Sequence, residues 1–184
     1  MITVEKMSEG VRGEGLSYGL PMVFLKLGPG DSYPSTDKLV REILMQAGCR
    51  WICLYGENTT QVGMGTVIKG LSSLGLYTEV EVDGSVRDPG WLHAVDRWVV
   101  DYRENALFNF NALRSVDAAR FAVRDGKDLS LARKGFEELK LFPGTKYIRL
   151  SDQNMEDEAF QLVRKYERAR LYYIGWEASL LVSR

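Results

Sequence analysis

Thiols, imidazoles and net charge are scarce in this chain. Of its 184 residues only two are cysteine, Cys49 and Cys53, and one is histidine, His93. Two cysteines at this spacing make no secreted disulfide framework. With His93 they lack the spacing of a metal site. One histidine also leaves Ser17 and Ser85 without a nucleophile–base constellation, and no nucleophile-elbow motif is present. The 24 basic and 25 acidic side chains cancel to a net charge of −1. No global field therefore draws the chain to nucleic acid or to an anionic membrane, and neither is an expected partner. No apolar run reaches the roughly 18–20 residues that cross a bilayer. Residues 1–15 are polar and lack the apolar core of a signal peptide, so a cytoplasmic location is expected.

What is present is an ordinary globular composition, 45% hydrophobic and 27% charged. The length suits one domain over residues 1–184 with a sizeable core. Ile2–Met7 alternates and predicts a short strand; Ser8–Gly19, with four glycines, predicts a loop. Met22–Leu27 is a buried-strand run, and Gly28–Ser35 predicts a loop. Thr36 or Asp37 is placed to cap a helix from Lys38 to about Gln46. Strands follow at Arg50–Tyr55, Leu76–Val82, Trp98–Val100, Ala119–Val123 and Tyr147–Leu150. Helices are predicted at Thr60–Leu74, Leu129–Lys140 and Asp157–Arg168, with a helical turn at Asn111–Arg114. Leu171–Ile174 and Ser179–Val182 read as extended. About six βα units emerge, several with strands apolar on both faces. This pattern predicts an α/β fold with a mainly parallel sheet and flanking helices. A partial (βα)6 barrel fits the length better than a complete eight-unit barrel of about 250 residues.

Five segments share an order with a known family. They are Arg12-Gly-Glu-Gly15 followed by Gly19-Leu-Pro21 and Val23-Phe-Leu-Lys-Leu27; Cys49-Arg-Trp-Ile-Cys-Leu-Tyr-Gly-Glu-Asn58; Glu79-Val-Glu-Val-Asp-Gly-Ser85; Val100-Asp-Tyr-Arg103; and Asn109 to Val123. In this order they resemble the 7-carboxy-7-deazaguanine synthases of the radical-SAM superfamily. The resemblance implies a barrel of radical-SAM type. It departs from the family at one place. After the strand corresponding to Val23–Leu27 the family has a cysteine-rich loop whose three thiolates hold a 4Fe-4S cluster, with S-adenosylmethionine on the open iron. Here Gly28–Ser35 holds no cysteine. A cluster needs several thiolates placed around it, so none is expected and S-adenosylmethionine has lost its anchor. Cys49 and Cys53 sit in or beside a predicted strand and read as small buried apolar residues.

The resemblance places Arg12, Glu14, Gly15 and Lys26 around the family's substrate, a pterin that becomes a deazapurine. Glu14 would then pair with ring N–H groups, and Arg12 or Lys26 with a carboxylate or phosphate. It places Gly56, Glu57, Glu81 and Asp83 in segments that contact S-adenosylmethionine, with Asp101 and Arg103 on the next strand. Taken by themselves these residues have plainer roles. Gly10, Gly13 and Gly15 suit a tight turn. The acids suit solvated strand ends, and Asp101 and Arg103 a surface pair. Tyr55, where the family has glycine, is positioned to fill vacated cofactor space. The aromatic and arginine-rich stretch Tyr166–Trp176 suits core and homodimer contact. Three functional readings stay open: a non-catalytic binder of a purine-, pterin- or nucleotide-like molecule; a cluster-free hydrolase or lyase using Glu14, Glu57, Glu81 or Asp83; and an interaction module with a closed pocket.

Overall fold

A computed structural model describes residues 1–173. The extended segment expected at Ser179–Val182 and the end of the aromatic stretch, Ile174–Trp176, lie outside the described residues. Among the described residues eight strands form one sheet in sequence order: β1 (Ile2–Val11), β2 (Pro21–Tyr33), β3 (Trp51–Gly56), β4 (Tyr77–Asp83), β5 (Arg97–Asp101), β6 (Ala118–Val123), β7 (Thr145–Leu150) and β8 (Ala169–Tyr173). β1 is antiparallel to β2, and every later neighbour is parallel. The six parallel crossovers match the six units expected. Four carry α-helices: α1 (Thr36–Gln46), α2 (Met64–Ser73), α3 (Gly126–Glu138) and α4 (Glu156–Val163). The β4–β5 and β5–β6 crossovers use single 3-10 turns, Leu92–Ala94 and Phe110–Ala112.

Period-two alternation divides the sheet into two unlike faces. One face presents Val23, Leu25, Leu27, Ile52, Leu54, Val80, Val82, Trp98, Val100, Phe121, Ile148 and Leu150 to the helices, all within the main apolar core. The helices answer with Leu39 and Ile43 of α1, Val67, Ile68 and Leu71 of α2, and Leu129, Ala132 and Phe136 of α3. The other face carries Cys53, Glu79, Glu81, Arg120, Tyr147 and Arg149. The sheet curls around this second face. Glu14, just beyond β1, reaches Arg120 of β6 and Arg149 of β7, and the Tyr172 hydroxyl of β8 donates to the Gly15 carbonyl at 3.1 Å.

Several boundaries differ from the sequence expectation. Residues 8–11 continue β1, and Gly28–Tyr33, expected as loop, continues β2. The extension pairs Ile2 with Tyr33, Thr3 with Ser32 and Val4 with Asp31 across a bulge. Gly30 permits it: a Cβ there would fall on the Val4 carbonyl oxygen and lie 2.7 Å from Glu5 Cα. Ser35, not Thr36 or Asp37, caps α1 by accepting from the Lys38 N–H. α2 starts only after Gly63, and α4 ends at Val163, short of the expected Arg168, whose φ is +56°.

Candidate functional site

The hairpin between β1 and β2 turns Arg12 and Glu14 inward, onto the charged face of the sheet. Both are buried, as are Glu79, Glu81 and Arg120. Arg12 Nε lies 3.0 Å from Glu79 Oε1, and its Nη2 pairs with Glu81 and stands 3.6 Å from Glu14. Arg120 bonds Glu14 at 2.6 Å, Glu81 at 2.9 Å and both oxygens of Asp101, at 2.5 and 3.1 Å. Ser17 donates to Glu79 and accepts from Arg97 at 2.7 Å. Tyr147 directs its hydroxyl at Glu14, 3.4 Å away. Charges taken this far from water must be paired to be tolerated, and the strands deliver alternating signs to do so.

This pairing moves the titrations apart. Burial alone would raise the Glu81 carboxyl, but the guanidiniums of Arg12 and Arg120 hold it down at about 2. Glu79 has the same burial with weaker compensation from Arg12 and Ser17, and its carboxyl is raised. Burial pushes the Cys53 thiol up, and nearby Glu81 adds to the effect. Cys53, Glu79 and Glu81 bring three ligand-type atoms within 4.8 Å of one another. The two carboxylates pair with Arg12, so a guanidinium stands where a cation would.

A cavity of about 420 Å³ opens beside this network, within the roughly 300–1,000 Å³ of small-molecule sites. Lys6 and Ser8 to Gly13 form one wall, and Glu14, Arg120 and Arg149 another; Phe24, Tyr55 and Glu81 complete it. Phe24 and Tyr55 meet edge to face with ring centroids 6.5 Å apart. A planar ligand here finds aromatic surface, carboxylates and guanidiniums within one enclosure.

Of the residues singled out in the sequence, Arg12, Glu14 and Glu81 line the cavity, and Asp101 braces it through Arg120. Gly15 supports it from behind through Tyr172. Lys26 is turned to Glu5 at 2.6 Å, both side chains about 40% exposed, and does not line the cavity. Gly56 and Glu57 are exposed at the end of β3. Gly56 is fixed as glycine by φ +110° and by the Leu27 carbonyl oxygen, on which a Cβ would land. The expected Asp101–Arg103 surface pair is absent: Arg103 bonds Asp83 at 3.0 Å, and Asp101 bonds Arg120. Tyr55 lines the cavity without closing it. His93 is exposed in its 3-10 turn and outside the cavity. Tyr166 packs on Phe136 at 5.1 Å, as a core contact.

Glu79, Arg120, Tyr147 and Arg149 were not singled out, although the signal was present. Glu79-x-Glu81, Ala118-x-Arg120-x-Ala122 and Tyr147-x-Arg149 place polar groups on one face of runs otherwise read as wholly apolar.

The two thiols do not suit an iron–sulfur cluster. Cys53 is buried against Glu81, 3.8 Å away, and half-buried Cys49 precedes β3 with its thiol on the Trp51 carbonyl. The stretch after Leu27 is an antiparallel ladder without a sulfur ligand. No family model and no curated protein matches the sequence. Solved structures do match the fold. The crystal structure of QueE from Escherichia coli, a 7-carboxy-7-deazaguanine synthase, superposes with a TM-score of 0.72 at 13% identity, over 94% of this chain and 93% of that one. The chain therefore has a radical-SAM-like α/β fold similar to that of QueE.

Proposed function

We propose that this protein binds a planar, polar small molecule of the purine, pterin or nucleotide kind on the concave face of a radical-SAM-like sheet, without an iron–sulfur cluster and without radical chemistry. The observation that carries this reading is the cavity, where the Phe24–Tyr55 pair stands beside Glu14, Glu81, Arg120 and Arg149. Carboxylates accept ring N–H groups, guanidiniums donate to ring carbonyls, and aromatic faces cover the ring plane. Gly28–Tyr33 supports the cluster-free part, because Asp31–Tyr33 pair with β1 and the stretch carries no thiolate. Such a protein sequesters, presents or senses its ligand, in the cytoplasm and as a homodimer.

A cluster-free hydrolase draws less support. Only Glu14 and Glu81 of its four carboxylates line the cavity. Glu81, held at about 2 between two arginines, is a poor proton carrier near neutrality. Thermal-shift titration with guanine, pterin and S-adenosylmethionine tests the proposal. At a hundredfold excess over Kd a ligand stabilises by about 2.7 kcal/mol, a rise of about 5–10 °C for a chain of this size. We expect that rise with a ring ligand and none with S-adenosylmethionine. No rise with any of them would favour the closed interaction module.

A further inference from the structure

We infer that the end of the sheet at which the parallel strands begin is a stacking platform for single-stranded nucleic acid. None of its residues lines the cavity, so it stands apart from the reading above. Trp51 opens β3, Tyr77 opens β4 and Arg97 opens β5. Trp51 and Tyr77 are register partners and stack with ring centroids 5.1 Å apart. The Arg97 guanidinium lies 4.2 Å from the centroid of the Trp51 ring and donates to Ser17 of the β1–β2 hairpin at 2.7 Å. The next hairpin residue, Tyr18, is 58% exposed and stands 6.0 Å from Tyr172, whose hydroxyl accepts from Arg170 at 3.4 Å. These contacts join rings and guanidiniums into one band across the strand ends.

Tyr77 is 43% exposed although it stacks on Trp51, so its ring is open to a second partner. Arg50, whose carbonyl accepts from the Tyr77 N–H at 2.8 Å, is exposed, as is Arg170. Arg50, Arg97 and Arg170 form no pair with a carboxylate among the described residues; Arg97 and Arg170 meet only hydroxyls. Two acids close to the band are committed. Glu79 is buried behind Ser17, and Asp96 takes the Thr78 N–H at 2.8 Å. The net charge of −1 conceals this local positive excess. Open aromatic rings interleaved with arginines suit successive bases and the phosphates between them. A second copy fits badly, because a two-fold contact of the band with itself sets unpaired guanidiniums against one another. Charge complementarity calls for an anionic partner, and the open rings call for one with planar groups, which a run of carboxylates lacks.

Fluorescence anisotropy of a labelled ten-nucleotide oligouridylate tests the platform, with its duplex with oligoadenylate and a decaglutamate peptide as competitors. We expect the single strand to bind, with affinity falling with salt at a log–log slope of about −2, as three neutralised phosphates require. R50Q should make that slope shallower by about 0.7. Y18A and Y77A should each weaken binding about 5- to 100-fold and leave the melting curve unchanged. Y77F keeps the ring and should bind as wild type does. Duplex and decaglutamate should compete poorly, because neither offers open base faces. Absence of binding at low salt would overturn the inference, as would unaltered affinity in Y18A and Y77A. Competition by decaglutamate as strong as that of unlabelled oligouridylate would also overturn it, and would make the band a docking surface for an acidic protein segment.

Discussion

At the scale of single residues, two neighbouring glutamates on β4 should behave oppositely. Glu81 sits between two guanidiniums with its carboxyl lowered from 4.5 to about 2. Its contribution to stability is complete above the unfolded value and is lost as pH falls toward 2. Glu81→Gln should therefore cost about 3 kcal/mol at neutral pH, as breaking a buried pair does, read by urea unfolding. Glu79 is raised above 4.5. Its contribution is present below that value and fades as pH rises through the folded one, so at neutral pH its charge opposes folding. Glu79→Gln should cost much less than Glu81→Gln and should flatten the stability profile above pH 4.5. Similar unfolding midpoints for the two variants would contradict this account of the network. Arg12, Glu14 and Glu81 were legible because they stand in recognisable segments. Arg120 and Arg149 were hidden because a strand read as wholly apolar conceals the one face on which its charge lies.

At the scale of elements, the β1–β2 hairpin is the most informative departure. Gly28-Pro-Gly-Asp carries every local mark of a loop, yet β2 runs through it: residues 28–30 form a bulge, and Asp31–Tyr33 pair again with β1. Its partner, Ile2–Val4, lies some thirty residues away in sequence, and no local pattern announces that ladder. Gly30→Ala should force β1 off β2 and cost about 1–3 kcal/mol, as overpacking does, seen as an earlier thermal transition. An unchanged transition would contradict the close approach. The helix-packed face was legible from hydrophobic runs alone, and its energetics follow the ordinary rule. Phe136 of α3 is fully buried, 4.7 Å from Phe121 and 5.1 Å from Tyr166. Phe136→Ala should cost about 3–5 kcal/mol in chemical denaturation. A cost below about 1 kcal/mol would mean that α3 is not anchored there.

At the scale of the whole molecule, the order of alternating strands and helices was enough to read a parallel α/β sheet with six crossovers. That the sheet would curl into a partial barrel was expected too; which residues the curl brings together was not legible. The curl shows in contacts between the first hairpin and β6 to β8, such as Glu14 with Arg120 and Gly15 with Tyr172. The curl turns seven parallel strands with charged residues on one face into an enclosure, and that enclosure is the candidate site. A fold similar to that of QueE brings no chemistry with it, since function resides in the site and not in the scaffold. The most direct measurement is anaerobic reconstitution of the purified protein with ferrous iron and sulfide, followed by iron analysis and visible absorbance. We expect desalted protein without bound iron and without the charge-transfer band of a cluster. Near-stoichiometric iron–sulfide absorbance that survives desalting would contradict the account at its base.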